Sequence, residues 1–229
     1  MTFSTHEQKN QYKNRIYKNH GLPALVDLVK PDQHRVLDIG CGDGANMRLL
    51  AARGHEVVGI TLSEIEAKTV REQGFTCIVW NITEETIPFA DVKFDALVFS
   101  HVLEHLAWPD VILSRYLKLL QTGGGIYIAL PNALQFSNRW QFLCGRFRYT
   151  EMGLMDRTHL RFFDFHSARQ FIEGSGGIKT IHHFGVGQFP MGPFRELVPD
   201  FCQWMDRQVS RFFPSLFSLH IIFVGQLVN

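Results

Sequence analysis

Val36-Leu37-Asp38-Ile39-Gly40-Cys41-Gly42-Asp43-Gly44 is the stretch from which the fold is read. Val36, Leu37 and Ile39 form a short apolar run that predicts a buried strand, and three glycines at alternate positions end it. Glycine admits positive φ and carries no Cβ, so a sharp turn can approach a ligand closely. Residues 46–53 then predict a helix with Met47, Leu49 and Leu50 on one side. Strand, glycine turn and helix N-terminus in that order build a pocket of the nucleotide-binding kind. The spacing is G-x-G-x-G, not the G-x-G-x-x-G of dinucleotide binders, and Asp38 inside the motif repels a pyrophosphate but suits a cation.

Outward from this turn the pattern alternates. Residues 56–60 predict a second strand, and Ser63 caps a helix over 64–73. Residues 76–80 and 96–99 predict strands three and four. Pro109 opens a helix to Leu120 that Gly123-Gly124-Gly125 should end, and 126–130 predict strand five. Such alternation implies an α/β fold, a parallel sheet with helices on both faces. A chain of 229 residues suits a single domain over 1–229, with cover helices in 1–30 (Tyr12, Ile16 and Tyr17 on the first, Leu25, Val26 and Leu28 on the second). The net charge of +1 supplies no global field for nucleic acid or anionic membrane. Four scattered cysteines without a C-x-x-C pair read as free thiols in a reducing compartment. The polar N-terminus is no signal peptide, and no apolar run reaches the 18 or more residues of a membrane span, so a cytoplasmic chain is expected.

The VLDIGCGDG stretch resembles the first motif of class I S-adenosylmethionine (SAM)-dependent methyltransferases, and the likeness extends from about Val36 to Gly176 with a weaker echo at 219–226. It implies a doubly wound, seven-stranded, mostly parallel sheet whose last strand runs antiparallel between strands five and six, and a lid over 135–165. It also implies SAM as cofactor. Asp38, Gly40, Cys41 and Gly42 would then hold the methionine half, Thr61 and Leu62 the ribose, Asn81 and Ile82 the adenine, with Ser100 and His101 completing the wall. The chain departs from the family at two of these places. Thr61 stands where an acidic residue usually accepts both ribose hydroxyls, as a threonine does in cyclopropane fatty-acid synthases. Asn81 replaces a common aspartate, and a turn-forming asparagine reads equally well there.

The lid carries Phe136, Trp140, Phe147, Tyr149 and Phe162 among Arg139, Arg146, Arg148, Arg157 and Arg161. Gly145–Tyr149 and Asp156–Phe163 resemble a methyltransferase lineage associated with cell-surface glycans. Most of these aromatics are expected to pack, while Arg146, Arg148, Tyr149 and Arg157 form the pool for substrate contacts; the alternative is a lid pinned by Arg–Asp pairs such as Arg157 with Asp156. Oxygen methylation needs a group that removes the hydroxyl proton. His101, Glu104, His105 and His159 are the candidates, with Asp156 or Glu104 orienting His159. His101-x-x-Glu104-His105 also resembles the Glu-x-x-Glu-His metal pattern of ubiquinone-type and small-RNA O-methyltransferases with one glutamate replaced. A metal-free site is favoured, a divalent ion on His101, Glu104, His105 and His159 being the alternative. The helical pattern over 190–213 puts Leu197, Val198, Phe201, Trp204, Met205 and Val209 on one face, expected to cover the core. The reading is thus an O-methyltransferase for a small-molecule or glycan hydroxyl, the alternative being a non-catalytic binding or scaffold protein. Nucleic acid is disfavoured as a partner, and the oligomeric state stays open, a homodimer included.

Overall fold

The computed structural model describes residues 20–89 and 91–228. Its sheet is built outward from β1 (Arg35–Ile39), in the order β3-β2-β1-β4-β5-β7-β6. β2 (Glu56–Thr61), β3 (Thr76–Val79), β4 (Phe94–Ser100) and β5 (Leu120–Pro131) pair in parallel. β7 (Ser218–Leu227) runs antiparallel between β5 and β6 (Ile178–Gly187), as the resemblance implied. The doubly wound, mostly parallel seven-stranded sheet is therefore borne out.

Side-chain alternation divides the core between the two sheet faces. Leu37, Ile39, Leu97, Phe99, Ile126 and Ile128 enter one cluster, while Val36, Val98, Tyr127 and Ala129 enter the other. Both faces are covered, which is why the central strands read as almost unbroken apolar runs. Asp38 shares the face of Val36 and lies in β1 beside Gly59 and Val98. Helices cover the sheet: α1 (Pro23–Val26), α2 (Ala45–Ala51), α3 (Glu64–Glu72) and α4 (Pro109–Tyr116) precede β5. After it come α5 (Phe136–Leu143), α6 (Phe165–Gly174), α7 (Phe194–Leu197), α8 (Pro199–Phe212) and α9 (Pro214–Phe217). Ser63 caps α3 through its Oγ, which accepts from the Glu66 amide at 3.3 Å.

Three expectations need revision. α4 ends at Tyr116 and passes through a short 3-10 turn, so Gly123-Gly124-Gly125 lie inside β5, where the register against β4 shifts between Phe94 and Ala96. The expected core-covering face over 190–213 is largely exposed: Leu197, Phe201 and Trp204 stand 51–75% open, and α8 buries Cys202 and Ser210 instead. Of the cover helices, α1 buries Leu25 and Val26, whereas the one expected around Tyr12, Ile16 and Tyr17 lies outside the described residues. All four cysteines are free thiols.

Candidate active site

The site lies at the C-terminal ends of β1, β2 and β4, where open α/β sheets bind ligands. The amides of Gly40 and Cys41 both donate to the Ile60 carbonyl, at 2.8 and 2.9 Å, and hold the glycine turn against β2. Gly40 has φ 75°, and a Cβ there would collide with the Val102 side chain. Gly42, at φ 55°, is also in the region that L side chains rarely adopt. The Cys41 thiol points away to Cys77, 3.8 Å off, which leaves the backbone as this residue's ligand-facing part. Asp38 is fully buried, and neither carboxylate oxygen has a partner among the described residues. Burial pushes its pKa up to about 7. An unpaired buried carboxylate of this kind fits an ammonium group and rejects a phosphate.

At the end of β2 the structure assembles a carboxylate that the sequence reading missed. The buried Thr61 hydroxyl donates to Glu66 Oε2 at 2.5 Å and accepts from the Ser63 amide at 3.2 Å. Glu66 itself is buried. A buried carboxylate thus stands at the end of β2, brought there from the first turn of α3. The one signal the sequence carries at Glu66 is its place in the first turn of a helix, where acids are favourable. Asn81 forms a turn: its Oδ1 accepts from the amide and hydroxyl of Thr83, and its Nδ2 donates to Glu84. Ile82 packs on the core beside it. Leu62 and Ser100 are half-buried at the ends of β2 and β4.

Beyond β4 the expected helical turn is absent around His101, which takes a left-handed φ of 57°. Only Leu103–His105 form a 3-10 turn. His101 and His105 therefore do not share a helical face. The His101 ring lies 4.8 Å from that of His220 on β7, and the His105 ring 4.7 Å from that of His159. Glu104 is fully buried between them, its Oε1 3.2 Å from His101 Nδ1 and its Oε2 without a partner among the described residues. Burial would raise its pKa, but the hydrogen bond to His101 and the charges of His101 and His105 outweigh this and hold it below the ordinary value. Burial with the neighbouring His101 pushes His220 down to about 4, so it stands neutral.

Local hydrogen bonds fix the two remaining imidazoles. His105 Nδ1 faces the Thr158 carbonyl at 3.3 Å and the Thr158 hydroxyl at 3.1 Å. That hydroxyl donates to Asp156 Oδ1 at 2.7 Å, so toward His105 it accepts. Nδ1 of His105 therefore carries a proton, which fixes the tautomer of the neutral ring. His159 Nδ1 lies 3.2 Å from the Leu154 carbonyl, which imposes the same tautomer. Burial lowers the His159 pKa, favouring the neutral ring. Ligand atoms of Glu104, His105 and His159 come within 4.8 Å of one another, a donor set of one carboxylate and two imidazoles that suits a divalent transition ion. His101 is not part of that set. Asp156 holds Thr158 and does not orient the His159 ring, as had been expected; the Leu154 carbonyl does.

The lid arginines divide by partner. Arg157 pairs with Glu151 at 2.6 Å and not with Asp156. Arg161 donates to the Ala107 carbonyl and lies over the Trp108 ring, and Arg139 donates to the Leu134 and Ser215 carbonyls. Arg146 and Arg148 have no carboxylate partner among the described residues, and Tyr149 packs edge-on against Phe147. His183 lies between the rings of Phe165 and Phe223, a packing role.

This strand order with a glycine turn after β1 is that of the class I SAM-dependent methyltransferase fold. Residues 37–128 match the family model described as a methyltransferase domain. The chain is 32% identical over 130 residues to a ubiquinone biosynthesis O-methyltransferase of Agrobacterium fabrum, covering 52% of this chain and 49% of the relative. It is 30% identical over 115 residues to a demethylmenaquinone methyltransferase of Tropheryma whipplei, covering 49% and 46%. The chain thus spans about half the length of these curated relatives. Among solved structures, a putative methyltransferase from Haloferax volcanii in complex with the activator Trm112 gives a TM-score of 0.62 at 17% identity, covering 98% of this chain and 95% of the other. A SAM-dependent methyltransferase from Archaeoglobus fulgidus gives 0.58 at 19% identity, covering 85% and 86%. At these identities the structural likeness speaks for the fold.

Proposed function

We propose that the chain is a SAM-dependent methyltransferase acting on a hydroxyl of a small molecule. The observation that carries the oxygen chemistry is the Glu104–His105–His159 trio, in which carbonyls hold Nδ1 of both imidazoles, so that in the neutral rings Nε2 is the atom left to take a proton. SAM supplies a methyl carbon already activated by its sulfonium. In this reading Asp38 receives the ammonium of the methionine half, Glu66 accepts from the ribose hydroxyls with Thr61 holding it in place, and Ile82 flanks the adenine. Gly40 and Gly42 let the backbone approach. The chain orients the reactants and excludes water, an effect that can contribute several kcal/mol or more.

Nε2 of His159 takes the proton of the acceptor hydroxyl, and Glu104 stabilises the imidazolium that results. Glu104, His105 and His159 would also hold a divalent ion, which would lower the pKa of a bound hydroxyl. Relatives named as ubiquinone O-methyltransferases support the oxygen acceptor, and a sugar hydroxyl would meet the same groups. In this reading Glu66 answers the departure at Thr61, which together with Asn81 had made a non-catalytic binding or scaffold protein the alternative. His159→Ala is the test. Its SAM affinity by titration calorimetry should match the wild type, while methyl transfer to a catechol or sugar panel falls at least a hundredfold. Full activity in that variant would refute the assignment. Wild-type activity that survives exhaustive chelation would exclude the ion alone.

A further inference from the structure

The insertion between β5 and α6 leaves several large apolar side chains largely exposed. Leu143 is 79% exposed, Met152 69%, Trp140 60% and Phe147 59%. Phe147 stacks on Phe142 at 5.4 Å and meets Tyr149 at 5.5 Å, so the projection is a self-packed knob and not a loose loop. The surface continues onto the C-terminal helices. Phe136 of α5 stacks on Phe217 at 6.2 Å, and Arg139 donates to the Ser215 carbonyl at 3.2 Å, bringing α5 beside α9. Phe212 and Phe213, just before α9, are 66% and 60% exposed.

The charge on this surface identifies its occupant. Residues 135–163 hold five arginines and two acids, a net +3 in a chain whose total is +1. Residues 135–150 hold three arginines and no acid. Arg146 and Arg148, flanking the Phe147 ring, have no carboxylate partner among the described residues. A second copy of the chain docked by a two-fold axis would set these arginines near their own equivalents, which repel. An anionic lipid surface neutralises them while the headgroup region receives the apolar tips.

We propose that α5 and the loop after it dock the protein onto an anionic lipid bilayer, with Leu143, Phe147 and Met152 entering the headgroup region and Arg146 and Arg148 meeting lipid phosphates. The proposal does not depend on the chemistry assigned to the active site. Because the same insertion carries His159, docking also sets the site at the lipid surface.

Co-sedimentation of the full chain with phosphatidylcholine vesicles, with and without phosphatidylglycerol, tests this. Binding to the anionic vesicles should exceed binding to neutral ones by at least tenfold and fall in high salt. Arg146→Gln with Arg148→Gln should lower the partition coefficient, by about fivefold for each guanidinium removed. Leu143→Ser with Met152→Ser should lower it at least tenfold while SAM affinity and melting temperature stay unchanged. Brominated lipids should quench wild-type tryptophan fluorescence, which reads insertion without any variant. No vesicle binding, equal binding to both vesicle types, or unaltered binding of the Leu143/Met152 variant would overturn the proposal. So would a dimer in sedimentation velocity that the Leu143/Met152 variant dissociates, because the occupant would then be a second copy.

Discussion

Asp38→Asn should move stability and cofactor affinity in opposite directions. Asp38 is fully buried without a partner for either oxygen among the described residues, and its pKa rises from 3.8 to about 7. That rise corresponds to about 4 kcal/mol of lost stability once the carboxylate ionises. Between these two values the native state binds the proton that the unfolded chain has released, so this group's contribution falls as the pH rises from about 4 to about 7. Asparagine keeps the shape and removes the charge, at about 1–3 kcal/mol for an unsatisfied buried amide. The expected balance at pH 8 is a gain of about 1–3 kcal/mol without ligand, or several degrees in Tm for a domain of this size. At pH 5 the gain should vanish, because Asp38 is then protonated. SAM affinity should fall at least tenfold in the variant at pH 8, since the ammonium loses its counter-charge. In the wild type, affinity should weaken by up to about tenfold per pH unit below pH 7, as binding must then expel the proton. Denaturant melts and titration calorimetry at pH 5 and pH 8 measure all four quantities. A variant less stable than wild type at pH 8, or one that binds SAM as tightly, would refute the reasoning.

Glu66→Gln should weaken SAM binding by about 1.5–3 kcal/mol, the worth of a charge-assisted hydrogen bond, as read by calorimetry. Thr61→Asp should not restore a family-like site: it sets a second carboxylate against Glu66, where the present contact is 2.5 Å, and should lower both melting temperature and SAM affinity. A rise in affinity would mean that Glu66 lies off the ribose. Thr158→Val removes the hydroxyl between Asp156 and His105 and should lower kcat about tenfold with SAM affinity unchanged, whereas an equal loss in both would mark Thr158 as structural. Gly42→Val forces a β-branched side chain to φ 55° and should abolish SAM binding, which the circular dichroism and calorimetry of one sample can separate from unfolding.

The strand and helix order, the glycine turn and the antiparallel last strand were legible in the sequence. The apolar runs of the parallel strands followed from local periodicity, and the last strand from the family likeness. The cap at Ser63 was legible for the same reason, since donor and acceptor stand three residues apart. What the sequence misplaced depends on side chains meeting across long separations. Gly123-Gly124-Gly125 read as a helix stop, yet they form an irregular stretch of β5 because pairing with β4 overrides the local turn preference. Phe201 and Trp204 read as core because helical spacing reveals amphipathicity but not whether anything covers the apolar face. His101, Glu104 and His105 were legible as a cluster, but a left-handed residue sends His101 to His220 on β7 and leaves His105 to His159. Thr158 and Asp156 fix the tautomer of His105 from 53 and 51 positions away, and Glu66 reaches back from α3 to the Thr61 hydroxyl at the end of β2. Periodicity and turn chemistry act within a few residues and so can be read along the chain, whereas a site built from the ends of several strands exists only once the sheet brings those ends together.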